Sequence, residues 1–158
     1  MESWSDFGVA VTGAGAALIG LLFVSMSINL RQIVTSASLP SRAAFALLLL
    51  VVPTLSAMLL LVPQHPLAYG VELLVLSVAL GPPLIHLSRP GPRPAEQPRA
   101  TRIGAVVVTV LTVGGTVVAR VLLVAGSVAG THGIVVSTVA AFGGALTNTW
   151  VLLVEILR

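Results

Sequence analysis

Long apolar runs separated by short polar ones set the pattern of this chain. The runs are residues 7–30, 43–62, 67–87, 103–125 and 134–157, and none holds more than one Asp, Glu or Arg. Roughly 20 apolar residues suffice for a helix to cross a bilayer. Strands are usually about 3–10 residues, so a Val-rich soluble β-protein does not account for runs of this length. The pattern predicts an all-α fold, a polytopic bundle of five transmembrane helices forming one domain over residues 1–158. The fourth run, which carries Arg120, is expected to be the one the others organise around.

The connections follow from the same pattern. Residues 31–42 read as a polar loop containing Ser36, Ser38, Pro40 and Ser41. Pro63-Gln64-His65-Pro66 reads as a tight turn that makes the second and third spans antiparallel neighbours. Residues 88–102 carry Pro90, Pro92, Pro94 and Pro98, which favour extended chain over a folded unit. Residues 126–133 form a short turn holding His132. Pro53 predicts a bend in the second span, and Gly81-Pro82-Pro83 predicts a break or kink near the end of the third.

Small residues at helical spacing suggest where spans approach closely, because lipid offers no hydrophobic drive for helix association. In the first span Thr12, Ala16 and Gly20 share one face, and Gly13 and Ala17 share another. In the last span Ala141 and Ala145 share a face with Ser137, while Gly144 lies beside them with Ala140 and Asn148. More of these faces exist than one copy needs, so an oligomer is expected. Two polar patches lie within spans: Ser25, Ser27 and Asn29 in the first, Thr147, Asn148 and Thr149 in the fifth. They are read as interhelical glue, or as the lining of a path if they face each other.

Composition agrees with a membrane protein: 56% of residues are hydrophobic, 8% are charged and the mean hydropathy is +1.07. Soluble proteins carry about 25% charged residues. The pI near 11.2 does not point to nucleic acid, because all eight basic residues are Arg and they sit mainly at run ends and in loops. Arg without Lys, with much Ala, Val and Gly, is the usage of a GC-rich bacterial genome. The acidic start, Glu2 and Asp6 without Arg, is unlike a secretory signal peptide, so the first run is read as retained.

Charge also orients the bundle. With the N-terminus outside, Arg31, Arg42, Arg89, Arg93, Arg99, Arg102 and Arg158 all fall inside, and the outer segments carry no Arg. Cytoplasmic loops are the ones enriched in Arg and Lys. The expectation is therefore N-outside and C-inside in a bacterial plasma membrane, crossed several times. Arg89, Arg93, Arg99 and Arg102 would meet anionic lipid at the inner face, worth about 1 kcal/mol each.

Under this orientation Glu72 and Arg120 lie at similar depth in the outer leaflet. Either they pair within the bundle or each snorkels to the headgroups. Glu155 reads as an inner boundary charge beside Arg158. His65, His86 and His132 sit at span ends and form no metal-ligand pattern. No Cys is present, and there is no His-Glu-x-x-His, Gly-x-Ser-x-Gly or P-loop motif. No catalytic residue, cofactor or metal is expected.

Residues 11–30 (VTGAGAALIGLLFVSMSINL) and 146–157 (LTNTWVLLVEIL) resemble a group of small actinobacterial integral membrane proteins. Some of these carry the label "modulator of FtsH protease". The resemblance covers the two ends and the span pattern, and implies a role in modulating another membrane protein, with no catalytic residues. Gly143-Gly144 followed by Thr147-Asn148-Thr149 is also similar to the Gly-Gly, Thr-rich helix break of fluoride channels. There the register is off by a residue, the expected phenylalanines are missing and the span count differs. The first expectation is a non-enzymatic protein that binds or modulates a membrane protein, and the second is a small oligomeric channel or transporter.

Overall fold

The computed structural model describes residues 4–36, 38–88, 99–124 and 130–156. Nearly all of these residues are helical: α1 (Ser5–Ile28), α2 (Leu30–Thr35), α3 (Leu39–Leu61), α4 (Pro66–Ser88), α5 (Arg99–Val124) and α6 (Gly130–Ile156). No strand occurs among the described residues. Val and Ile are weak helix formers in water, but in lipid only a helix bonds all its own backbone groups along a single span. Among the described residues three helices are long and apolar enough to cross a membrane: Ser5–Ile28, Leu39–Leu61 and Leu67–Ser88.

The five long helices coincide with the five apolar runs, each starting between one and four residues earlier than its run. The segment after the first run is not simply a loop. Asn29 closes α1 and opens α2 at once. Its amide side chain donates to the Ser25 carbonyl at 2.9 Å, and its own carbonyl accepts from the Ile33 N–H at 3.0 Å. Ser36 then turns the chain, its hydroxyl accepting from the Ser38 and Leu39 N–H groups, and Pro40 sits in the first turn of α3. Pro82 and Pro83 do not end α4, which continues to Ser88. Proline removes donors to the preceding turn but leaves its own carbonyl free for the next one.

The centre of the bundle is α3, not the fourth run. More than half of its apolar window is buried (56%), against 22% for α1 and 17% for α4. It packs on α1, α4 and α6, while α5 packs on α4 and α6. Burial decides this, since a charged residue marks where a helix is unusual and not where it sits. Close approaches give the directions. Gly8 faces Leu61 and Gly15 faces Thr54, so α1 and α3 are antiparallel. Gly115 faces Ser137 and Gly144 faces Val108, so α5 and α6 are antiparallel as well.

One end of the bundle gathers Trp4 and Phe7 against Leu60, Tyr69, Leu73 and Ile134. The other half gathers Leu22, Phe45, Leu49, Leu84 and Ala145, with Ile33 of α2 packed beside Leu39 and Ala43. Arg31, Arg42 and the first turn of α5, with Arg99 and Arg102, belong to this second end.

Candidate functional site

Around Pro53 the interior of α3 is polar. Proline takes away the N–H that would bond the Leu49 carbonyl. The neighbouring hydroxyls are tied to the helix itself: Thr54 donates to the Leu50 carbonyl at 2.6 Å and Ser56 to the Val52 carbonyl at 2.8 Å. Tyr69, fully buried on α4, donates to the Ser56 carbonyl at 3.1 Å. Gly15 of α1 rests directly on Thr54, with no room for a side chain. This belt locks α1, α3 and α4 together and offers no open chemistry. The sequence signal for it was Pro53 with two hydroxyls close behind.

The two polar patches are placed as follows. Ser27 donates to the Phe23 carbonyl, Asn29 to Ser25, Thr147 to Gly143 and Asn148 to Gly144, each bond one turn back on its own helix. Ser27 and Thr147 are exposed. Among the described residues the patches meet through Ser25 and Thr149, which line a shared cleft of about 180 Å³. Its other walls are Leu18, Leu21, Leu22, Leu50, Ala145 and Leu146. The cleft exists because α1 and α6 both lean on α3 and are not a closely packed pair. Two hydroxyls among six apolar side chains suit an acyl chain or an apolar helix surface more than a hydrated ion.

The small residues divide sharply. In α6, Ala141 and Ala145 are buried, and Gly144 is pressed against Val108. In α1 the face turned to α3 is Gly8, Val11, Gly15 and Leu22. Ala16 and Ala17 are exposed, and a side chain added at Gly13 or Gly20 would meet nothing within 4 Å. Thr12 is partly buried, its hydroxyl without a hydrogen-bond partner. The stripe Gly13, Ala16, Ala17 and Gly20 thus lies on the outside of the bundle.

Glu72 is half-buried and accepts from the Gln64 amide at 2.7 Å, while Gln64 also donates to the Leu59 carbonyl at 3.0 Å. Gln64 thereby fastens the α3–α4 turn. The side chains of Arg120, Glu155, Arg99 and Arg102 lie outside the described residues, as do Arg89 and Arg93 altogether. No group of three His, Asp or Glu side chains fit to hold a metal occurs among the described residues. His65 accepts from the Leu67 N–H at the start of α4, and His132 stacks edge-on to Trp4 with ring centroids 5.4 Å apart. Sequence reasoning missed that ring contact, and also the burial of Thr109, Thr112 and Thr138. No family model matches the chain, and neither a curated protein nor a solved structure is similar to it.

Proposed function

We propose that this chain is a non-enzymatic membrane protein of five spans that binds another membrane protein through the outer face of α1. The observation that carries this reading is the stripe Gly13, Ala16, Ala17 and Gly20, small residues at helical spacing that are exposed among the described residues. Small faces let helix backbones approach closely in lipid, which is where such association gains its energy. The inward face of α1 shows the same chemistry already in use, with Gly8 and Gly15 seated on α3. The large exposed apolar surface, from Leu21 and Phe23 on α1 to Val139 and Leu146 on α6, suits lipid as the surrounding medium. Residues 11–30 and 146–157 resemble small actinobacterial membrane proteins, some of them labelled as modulators of a membrane protease, and that label would fit the same reading. In this reading the membrane is a bacterial plasma membrane, and the partner is a membrane protein or a second copy of the chain.

The test is purification of the tagged protein in mild detergent, with mass spectrometry of what accompanies it. A stoichiometric membrane protein that is lost from the Gly13→Leu/Gly20→Leu variant supports the reading. Retention of the same partner by that variant would remove it. A second reading, a small oligomeric channel, has only the convergence of Ser25 and Thr149 on one cleft in its favour, and the apolar walls of that cleft weigh against it. A homo-oligomer without a partner that conducts ions in liposomes, with flux altered by Ser25→Leu, would favour that reading instead.

A further inference from the structure

We propose that the cleft between α1, α3 and α6 holds one acyl chain of an anionic phospholipid, with the head group at the arginine end of the bundle. The inference rests on the bundle lying in a bilayer, and not on the partner proposed for α1. Along α1 the cleft extends from Leu18 to Ser25, a rise of about 10 Å. One leaflet of the hydrocarbon core is about 15 Å deep, so the cleft covers much of it. Leu50 of α3, buried, closes the cleft behind, while Leu21 and Leu146 at its sides are exposed. It therefore opens toward the surrounding medium, which for a surface this apolar is lipid. The polar side chains lie at one end. Gly15 is level with Thr54, so Ser25, ten residues on, is level with the first turns of α3, close to Arg42.

Two observations select a phospholipid. Ser27 and Thr147 donate one turn back on their own helices, but the hydroxyls of Ser25 and Thr149 make no hydrogen bond among the described residues. An unbonded hydroxyl in hydrocarbon is costly. A transmembrane helix keeps its carbonyls bonded within itself and offers these hydroxyls no backbone acceptor. A diacyl lipid carries ester carbonyls directly above its chains, so it fills the apolar part and accepts from the hydroxyls at once. The second observation is charge. Arg31, six residues beyond Ser25 in α2, is exposed and has no carboxylate against it among the described residues. The carboxylates whose side chains are described, Asp6 and Glu72, lie toward the opposite end. A phosphate with a second-group lacking positive charge therefore meets net positive potential here, and one arginine near the surface is worth roughly fivefold in affinity. The site is separate from the small-residue stripe. With 3.6 residues per turn, Leu18, Leu21, Leu22 and Ser25 centre about 140° around α1 from Gly13, Ala16, Ala17 and Gly20.

The experiment is native mass spectrometry of the full chain in mild detergent, titrated with phosphatidylglycerol or with phosphatidylcholine of the same chains. One phosphatidylglycerol per chain should be retained, about fivefold more tightly than phosphatidylcholine. Ser25→Phe, which fills the cleft, should abolish retention. Ser25→Ala with Thr149→Val keeps the shape, removes both hydroxyls and should weaken binding by about five- to tenfold. Arg31→Gln should bring the two lipids within about twofold of each other. Gly13→Leu/Gly20→Leu should keep the lipid, which separates this site from the protein-binding face. No retained lipid in the unaltered chain overturns the proposal, as does equal retention of the two lipids. Several lipids held without a preferred number and unchanged by Ser25→Phe would be annular lipid and overturn it too. A protein lost from Ser25→Phe in place of lipid would give the cleft to a helix instead. If Ser25→Phe fails to fold, the variant lacking both hydroxyls decides, and unweakened binding there overturns the proposal.

Discussion

Two glycines on α1 look alike in sequence and differ in what surrounds them. At Gly15 a Cβ would collide with the Thr54 hydroxyl and lie 3.1 Å from its Cγ2, and at Gly13 it would meet nothing within 4 Å. Thr54 has little freedom to yield, since it is buried and donates to Leu50 at 2.6 Å. Gly15→Ala is therefore expected to destabilise the bundle by about 1–3 kcal/mol, the usual cost of overpacking. Thr54→Ala in the same chain removes the obstructing atoms and should recover most of the loss. Gly13→Ala should leave stability within about 0.5 kcal/mol, or raise it slightly, because Ala favours the helix. Thermal unfolding of the four purified proteins in one detergent checks this. A Gly13→Ala loss as large as that of Gly15→Ala would show that the assigned α1–α3 face is wrong.

The elements themselves were legible, because a run of about 20 apolar residues has few structural options. Their starts were not. Pro40 and Pro66 open helices in their first turns, whereas the polar residues near them read as loop. The packed faces were harder still. In water the apolar stripe of a helix points to the core, but in lipid every face is apolar and the stripe vanishes. Val11 and Leu22 are buried while Leu21 and Phe23 are exposed, and hydropathy does not separate them. The same limit governs Glu72. Sequence places it level with Arg120 by depth alone, to pair or to snorkel, whereas the structure gives it Gln64 of the preceding α3–α4 turn. The two pairings are compatible, since a carboxylate accepts several bonds, and α4 packs on α5. If Glu72 and Arg120 pair, Glu72→Arg and Arg120→Glu should each lower the yield of folded protein, and the double exchange should restore it. Failure of the double exchange to exceed the single variants would leave Gln64 as the functional partner of Glu72.

At the scale of the molecule the question is which way the bundle faces. Its two ends differ in charge: Asp6 and Glu72 lie toward the end with Trp4, and Arg31, Arg42 and the arginine-bearing start of α5 lie at the other. Trp4 and the exposed Trp150 lie toward opposite ends, as interfacial anchors do. Arginine-rich segments remain cytoplasmic during insertion, which sets the proposed orientation with the Trp4 end outside. The absence of Cys makes a direct test available, because any introduced thiol is the sole thiol. In intact cells, Ser5→Cys should react with a membrane-impermeant maleimide, and Ser88→Cys should react only after the membrane is opened. A phosphatase fused after Arg158 should be inactive, and a fluorescent protein fused there should fluoresce. The opposite labelling with an active phosphatase would invert the bundle. External labelling of Ser5→Cys together with an active phosphatase would mean an even number of crossings, and with it the loss of the five-span count.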